Sequence, residues 1–176
     1  MSAQRRGELL RERGEDASEV QPIELFFDLV YVLAITQLTH HLLEHLSPRG
    51  AVETLILLLA VWGAWIHIAW TTNYFDLSTR LVRLALLGVM LVSLVMSASI
   101  PAAFAERGLG FAAALVALGG WTLFLLAAIG RDHHLSAVFG RVLVWEVTCG
   151  VLWLAGGLAQ WTVRFALWLA ATAVMY

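Results

Sequence analysis

The sequence predicts an all-α, polytopic transmembrane bundle of about six helices, and three observations carry that reading. Sixty per cent of the 176 residues are hydrophobic and 14% are charged, where soluble domains average roughly 45–50% and about 25%. The mean hydropathy is +0.79. The apolar residues also fall into blocks of about 20, the length that crosses a hydrocarbon core of about 30 Å.

Residues 1–21 are polar and of mixed sign, so a cytoplasmic tail is expected there rather than a cleavable signal. Residues 22–176 form the transmembrane domain, with spans expected at 23–46, 51–73, 82–104, 109–130, 138–157 and 160–176. Pro22 suits the first turn of span one, where a missing N–H costs nothing. Ser47-Pro48-Arg49-Gly50 and Glu106-Arg107-Gly108 read as turns. Ala60, Gly63 and Ala64 in span two, and Gly119 and Gly120 in span four, allow close approach of helix backbones. Pro101 is expected to bend or end span three. Span six has roughly 17 residues, near the lower limit for a crossing. It ends without a cap or loop, so a chain truncated at its C-terminus is expected.

All eleven basic residues are Arg. Given these spans, eight of them (Arg5, Arg6, Arg11, Arg13, Arg80, Arg83, Arg131 and Arg141) lie on one side, and three (Arg49, Arg107 and Arg164) on the other. The excess of positive charge on cytoplasmic loops then places the N-terminus in the cytoplasm.

Polar side chains inside spans are costly and usually have partners or functions. Span one carries Glu24, Asp28, Tyr31, Ile35 and Thr39 on one face. Leu29, Leu33, Thr36 and His40 lie opposite, with Gln37 beside them. Polar groups on both faces predict a central helix. Span two brings Glu53, Ala60, Ala64, His67 and Thr71 into one stripe. His67, Asn73, Arg80 and Arg83 reach the depth of Glu24 and Asp28. A buried polar cluster of Glu24, Asp28, His67, Asn73 and Arg83 is therefore expected. It would serve either as a structural clasp or as a functional latch or proton site.

Glu146 lies well inside span five, as a relay group or as the partner of Arg141. His41-Leu42-Leu43-Glu44-His45 matches a zinc-protease spacing. No third ligand accompanies it, so no metal, cofactor or catalytic residue is expected. His133 and His134 read as solvated loop residues, and the single Cys149 permits no internal disulfide. The absence of Lys, of a phosphate-binding glycine loop and of a basic patch excludes nucleic acid as a partner.

Two runs carry family likeness. Glu24-Leu25-Phe26-Phe27-Asp28-Leu29-Val30-Tyr31 with Ala34-Ile35-Thr36-Gln37-Leu38 resembles the signature of the bacterial low temperature requirement A family of multi-helix membrane proteins. Trp62, Trp65, Trp70-Thr71-Thr72-Asn73-Tyr74-Phe75-Asp76, Arg83 and Ile100-Pro101-Ala102-Ala103-Phe104 support it. Phe26-x-Asp28-x-Val30 with Ala34-x-Thr36 also resembles the opening helix of the endolysosomal potassium channels marked by a Phe-Ser-Asp motif. Phe27 stands here in place of that serine. This second resemblance implies that the first helix lines a pore, with Leu29, Leu33, Thr36, Gln37 and His40 along it and the constriction at Leu33 and Thr36.

The expected function is that of a channel or transporter of the bacterial cytoplasmic (inner) membrane, with cations as candidate cargo. Its expected partners are the lipid bilayer and either a second copy or a second helical half of a longer chain. The alternatives are a structural or stress-adaptation membrane protein without flux and a membrane-embedded lipid-modifying enzyme.

Overall fold

A backbone in hydrocarbon has to satisfy its own hydrogen bonds, and a helix does so within one segment. The computed structural model of the chain follows that rule. It describes residues 22–75, 79–129 and 135–176, so the polar tail, Asp76, Arg131, His133 and His134 lie outside the described residues, as does the Glu24 side chain. The helices are α1 (Pro22–Glu44), α2 (Pro48–Thr72), α3 (Arg80–Ser99), α4 (Gly108–Leu118), α5 (Gly120–Ile129), α6 (Ser136–Leu158) and α7 (Trp161–Met175). The consecutive pieces α4 and α5 together make one span. Five spans among the described residues are long and apolar enough to cross a membrane, and α7, with 15 residues, is shorter.

Local chemistry sets the boundaries. Ser47, read from sequence as part of a turn, is instead the N-cap of α2. Its hydroxyl accepts from the Gly50 N–H at 3.1 Å, and Pro48 fills the first helical position. Pro101 ends α3 as expected, turning the chain through a single 3-10 turn at Ile100–Ala102. Gly119 interrupts the fourth span. There the bonds tighten to a three-residue spacing, Gly119 N–H to Val116 O at 3.0 Å and Thr122 N–H to Gly119 O at 3.1 Å.

The helices pack as a ring. α1 lies against α2 and α3, α3 against α4, α4 against α6, and α6 against α7, which returns to α2. Phe27, Tyr31, Ala34 and Leu38 form a helical stripe that buries one face of α1, and the Ser93 hydroxyl of α3 meets the Tyr31 hydroxyl at 3.3 Å. The other face exposes Leu25, Phe26, Leu29 and Val32. The expectation of a central first helix is thus not met within one chain. Part of the reason is that Thr36 and Thr39 satisfy their hydroxyls on their own helix, at Val32 O and Ile35 O (both 2.9 Å), and need no neighbour.

Between α4, α6 and α7 lies an aromatic core in which Trp168 meets Phe104 at 4.9 Å and Trp153 at 5.0 Å between ring centroids. The Trp168 N–H donates to Trp153 O at 2.9 Å. Gly156 leaves the room for that indole, since a Cβ there would stand 2.5 Å from its ring.

Arg164 departs most from the sequence reading. The sequence reading counts it among the basic residues on the outer side, yet it is buried within α7. Its guanidinium donates to Gly156 O, Gly157 O and Ala159 O at the end of α6, and to Ala103 O and Ala105 O beyond α3. The last carbonyls of a helix have no partners in their own segment and carry partial negative charge, so a cation there satisfies both needs. Gly108 makes space, because a Cβ on it would lie 2.4 Å from the guanidinium carbon.

Arg164→Met is expected to destabilise the fold by more than about 3 kcal/mol, since it orphans several buried carbonyls at once. Thermal unfolding in detergent checks this, and an unchanged melting temperature contradicts the clasp.

Candidate functional site

The sequence-predicted residues go to three places. On α1, Asp28 is exposed at the edge of a groove of about 480 Å³ between α1 and α2, and its Oδ1 accepts from the Trp65 indole N–H at 3.0 Å. Asn73 is exposed at the C-cap of α2, and Arg83 is exposed in the first turn of α3. His67 is elsewhere. It follows Trp65 by two residues, about 200° around the helix, so it turns from α1 toward the bundle interior. The structure does not gather Asp28 and His67 into one cluster.

Of the residues expected along a pore, Leu29, Leu33, Thr36 and His40 are exposed and Gln37 is half-buried. Thr36 and His40 border the same groove as Asp28 rather than the opposite face. They lie only about 80° and 120° around α1 from Asp28, so one groove collects all three.

The His-x-x-Glu-His run sits near a different acid. The His41 ring is buried with its Nε2 3.9 Å from Glu53 Oε2, and neither ring nitrogen has a hydrogen bond. Glu53 Oε1 accepts from Arg49 Nε at 2.9 Å and from Trp161 Nε1 at 2.7 Å, while the Arg49 guanidinium stacks 3.4 Å over the Trp161 ring. Among the described residues, no three His, Cys, Asp or Glu side chains come together to hold a metal ion. This cluster ties the start of α2 to the start of α7.

The third place is a polar centre built from three helices. Glu146 on α6, Thr122 on α5 and His67 on α2 meet there. Thr122 Oγ1 donates to Glu146 Oε1 at 2.9 Å, and His67 Nε2 lies 2.8 Å from Thr122 Oγ1 and 3.3 Å from Glu146 Oε1. One turn along α2, the Thr71 hydroxyl accepts from Trp121 Nε1 at 2.7 Å, which fixes α5 against α2. The break at Gly119 brings Thr122 to this position. A Cβ on Gly119 would stand in ordinary contact with Glu146 Oε2, at 3.6 Å, so the carboxylate lies beside the break in the span.

Glu146 thus finds its partners on other helices, not one turn back at Arg141, which is exposed. The hydroxyl of Thr122 both accepts and donates, so it can pass a proton between imidazole and carboxyl. Beside the centre is a cavity of about 560 Å³, lined by α2, α4, α6 and the end of α7. Sequence reasoning marked His67 and Glu146 separately but missed Thr122 and the joining of all three. A threonine beside a tryptophan near a Gly-Gly pair was the only local signal.

Comparison with known proteins adds the following. The family described as bacterial low temperature requirement A protein (LtrA) matches residues 19–176. An uncharacterised protein of Rhizobium meliloti (strain 1021) is 36% identical over 169 residues, covering 95% of this chain and 41% of that one. The chain therefore spans about two fifths of the length of that relative. No solved structure matches the chain.

Thr122→Val is expected to cost about 1–3 kcal/mol, because Glu146 Oε1 loses a donor in a buried setting, whereas Thr122→Ser keeps it. Unfolding curves of the two variants in detergent decide this, and a Val variant as stable as the Ser variant contradicts the bond.

Proposed function

The chain belongs to the bacterial low temperature requirement A family, and we propose that this multi-pass membrane protein is a transporter of the bacterial cytoplasmic membrane that moves cations or protons through its Glu146–Thr122–His67 centre. The observation that carries the reading is the meeting of a carboxyl, a hydroxyl and an imidazole from three helices beside a cavity inside the span. Ionisable groups placed this way are expensive in lipid and mark ion pathways and proton relays. In the relay, His67 gives a proton to Thr122 Oγ1 as Thr122 gives its own to Glu146 Oε1. The net transfer leaves a neutral imidazole and a neutral carboxyl. The distribution of Arg supports a cytoplasmic N-terminus.

A second reading draws on the open face of α1. Leu29 and Leu33 are exposed there beside Thr36 and His40. In an assembly with a second copy, or with a further helical half of a longer chain, this face would line a pore gated by dewetting at Leu33.

Purified protein in liposomes holding a pH-sensitive dye is expected to conduct under an imposed proton or alkali-cation gradient, and Glu146→Gln is expected to abolish that flux. Flux that survives Glu146→Gln but changes with Leu33→Asn transfers the pathway to α1. A protein silent under every imposed proton and alkali-cation gradient contradicts proton and alkali-cation transport.

A further inference from the structure

We propose that the cavity beside Glu146 binds a lipophilic amine, its protonated nitrogen on the Glu146 carboxylate and its apolar body against α2, α4 and α6. This assignment rests on the reading of that centre as a transport site and names its substrate class.

Glu146 Oε1 takes the bonds from the Thr122 and His67 side, while Oε2 is buried with no hydrogen bond at all. Oε2 has no surface open to the cavity, but the Glu146 side chain lines that cavity and is 25% exposed, so an ammonium there meets the carboxylate in a charge-assisted contact. The cavity volume of about 560 Å³ is that of a small-ligand site. Its wall is chiefly apolar, with Ala60, Ala64, Leu115, Val116 and Val142, and polar groups gather at the His67–Glu146 end.

The mouth is lateral. Ile66 on α2 and Trp145 on α6 line the cavity and are 47% and 58% exposed on the flank of the bundle. A ligand entering there comes through hydrocarbon and needs an apolar body of its own. Among the described residues no Arg lines the cavity, so the charged group an organic anion meets there is a carboxylate. A bare metal ion lacks a third ligand among the described residues. Trp145 and Trp153 add aromatic faces to the lining, which suit a cation further.

The test uses the purified protein in lipid nanodiscs and three probes of one shape: phenylbutylamine, phenylbutanol and phenylbutyrate. Empty nanodiscs correct for partition into lipid. Saturable binding of the amine is expected, with the alcohol and the acid weaker by about tenfold or more, the worth of one charge-assisted hydrogen bond. Glu146→Gln is expected to weaken the amine by a similar factor and to leave the alcohol unchanged. Ala64→Phe keeps the carboxylate but fills the cavity, and is expected to remove amine binding. It decides the matter if Glu146→Gln fails to fold. Equal binding of the three probes, or amine binding indifferent to Ala64→Phe, overturns the proposal. Glu146-dependent proton flux without amine binding overturns the substrate class and leaves the transport reading standing. Glu146-dependent amine binding without any flux supports the site and contradicts transport.

Discussion

In hydrocarbon a polar group without a partner is costly, and this requirement locates nearly every polar side chain inside the bundle. Hydroxyls of Thr36, Thr39, Thr54, Ser97, Thr148 and Thr172 solve it alone, by bonding the carbonyl four residues back on their own helix. Charged and aromatic N–H groups cannot, and so they join helices. Arg164 binds the ends of α6 and α3, Trp161 and Arg49 hold Glu53, and Trp121 reaches Thr71. The packing order of the ring follows from these bonds as much as from apolar fit.

Glycine does the complementary work. Gly108 and Gly156 vacate the volumes that Arg164 and Trp168 occupy, so α7 can sit deep against α6. Gly119 breaks the fourth span beside Glu146, at the level where Thr122 bridges it to His67. One chain element thereby supplies both the interruption and the hydroxyl. Discontinuous helices near the middle of a membrane commonly serve binding, because irregular backbone is tolerated only where it lines a cavity or is buried in protein.

The spans were legible in the sequence because hydropathy and length report on lipid directly, and Pro101 marked the end of α3 for a local steric reason. Single polar residues such as Glu146 and His67 were legible as exceptions to an apolar background. Their pairing was not, since Thr122 lies 24 residues from Glu146 and 55 from His67, and one sequence carries no sign of such a contact. Helix phase explains the other misses. Two residues separate Trp65 from His67, enough to send one to α1 and the other inward, and depth alone had grouped His67 with Asp28. Arg164 was legible only as a charge on the outer side, because one sequence does not show that the carbonyls at the end of α6 offer it a buried partner.

The side chains of His67 and Glu146 join α2 to α6, and the polar centre depends on that contact. Solid-state NMR on the protein in lipid bilayers, labelled at the His67 imidazole nitrogens and the Glu146 carboxyl carbon, reads that contact directly. A through-space dipolar coupling between the two labels, as the 3.3 Å approach of Nε2 to Oε1 requires, is the result expected. Absence of coupling between the two labels in a folded sample contradicts it.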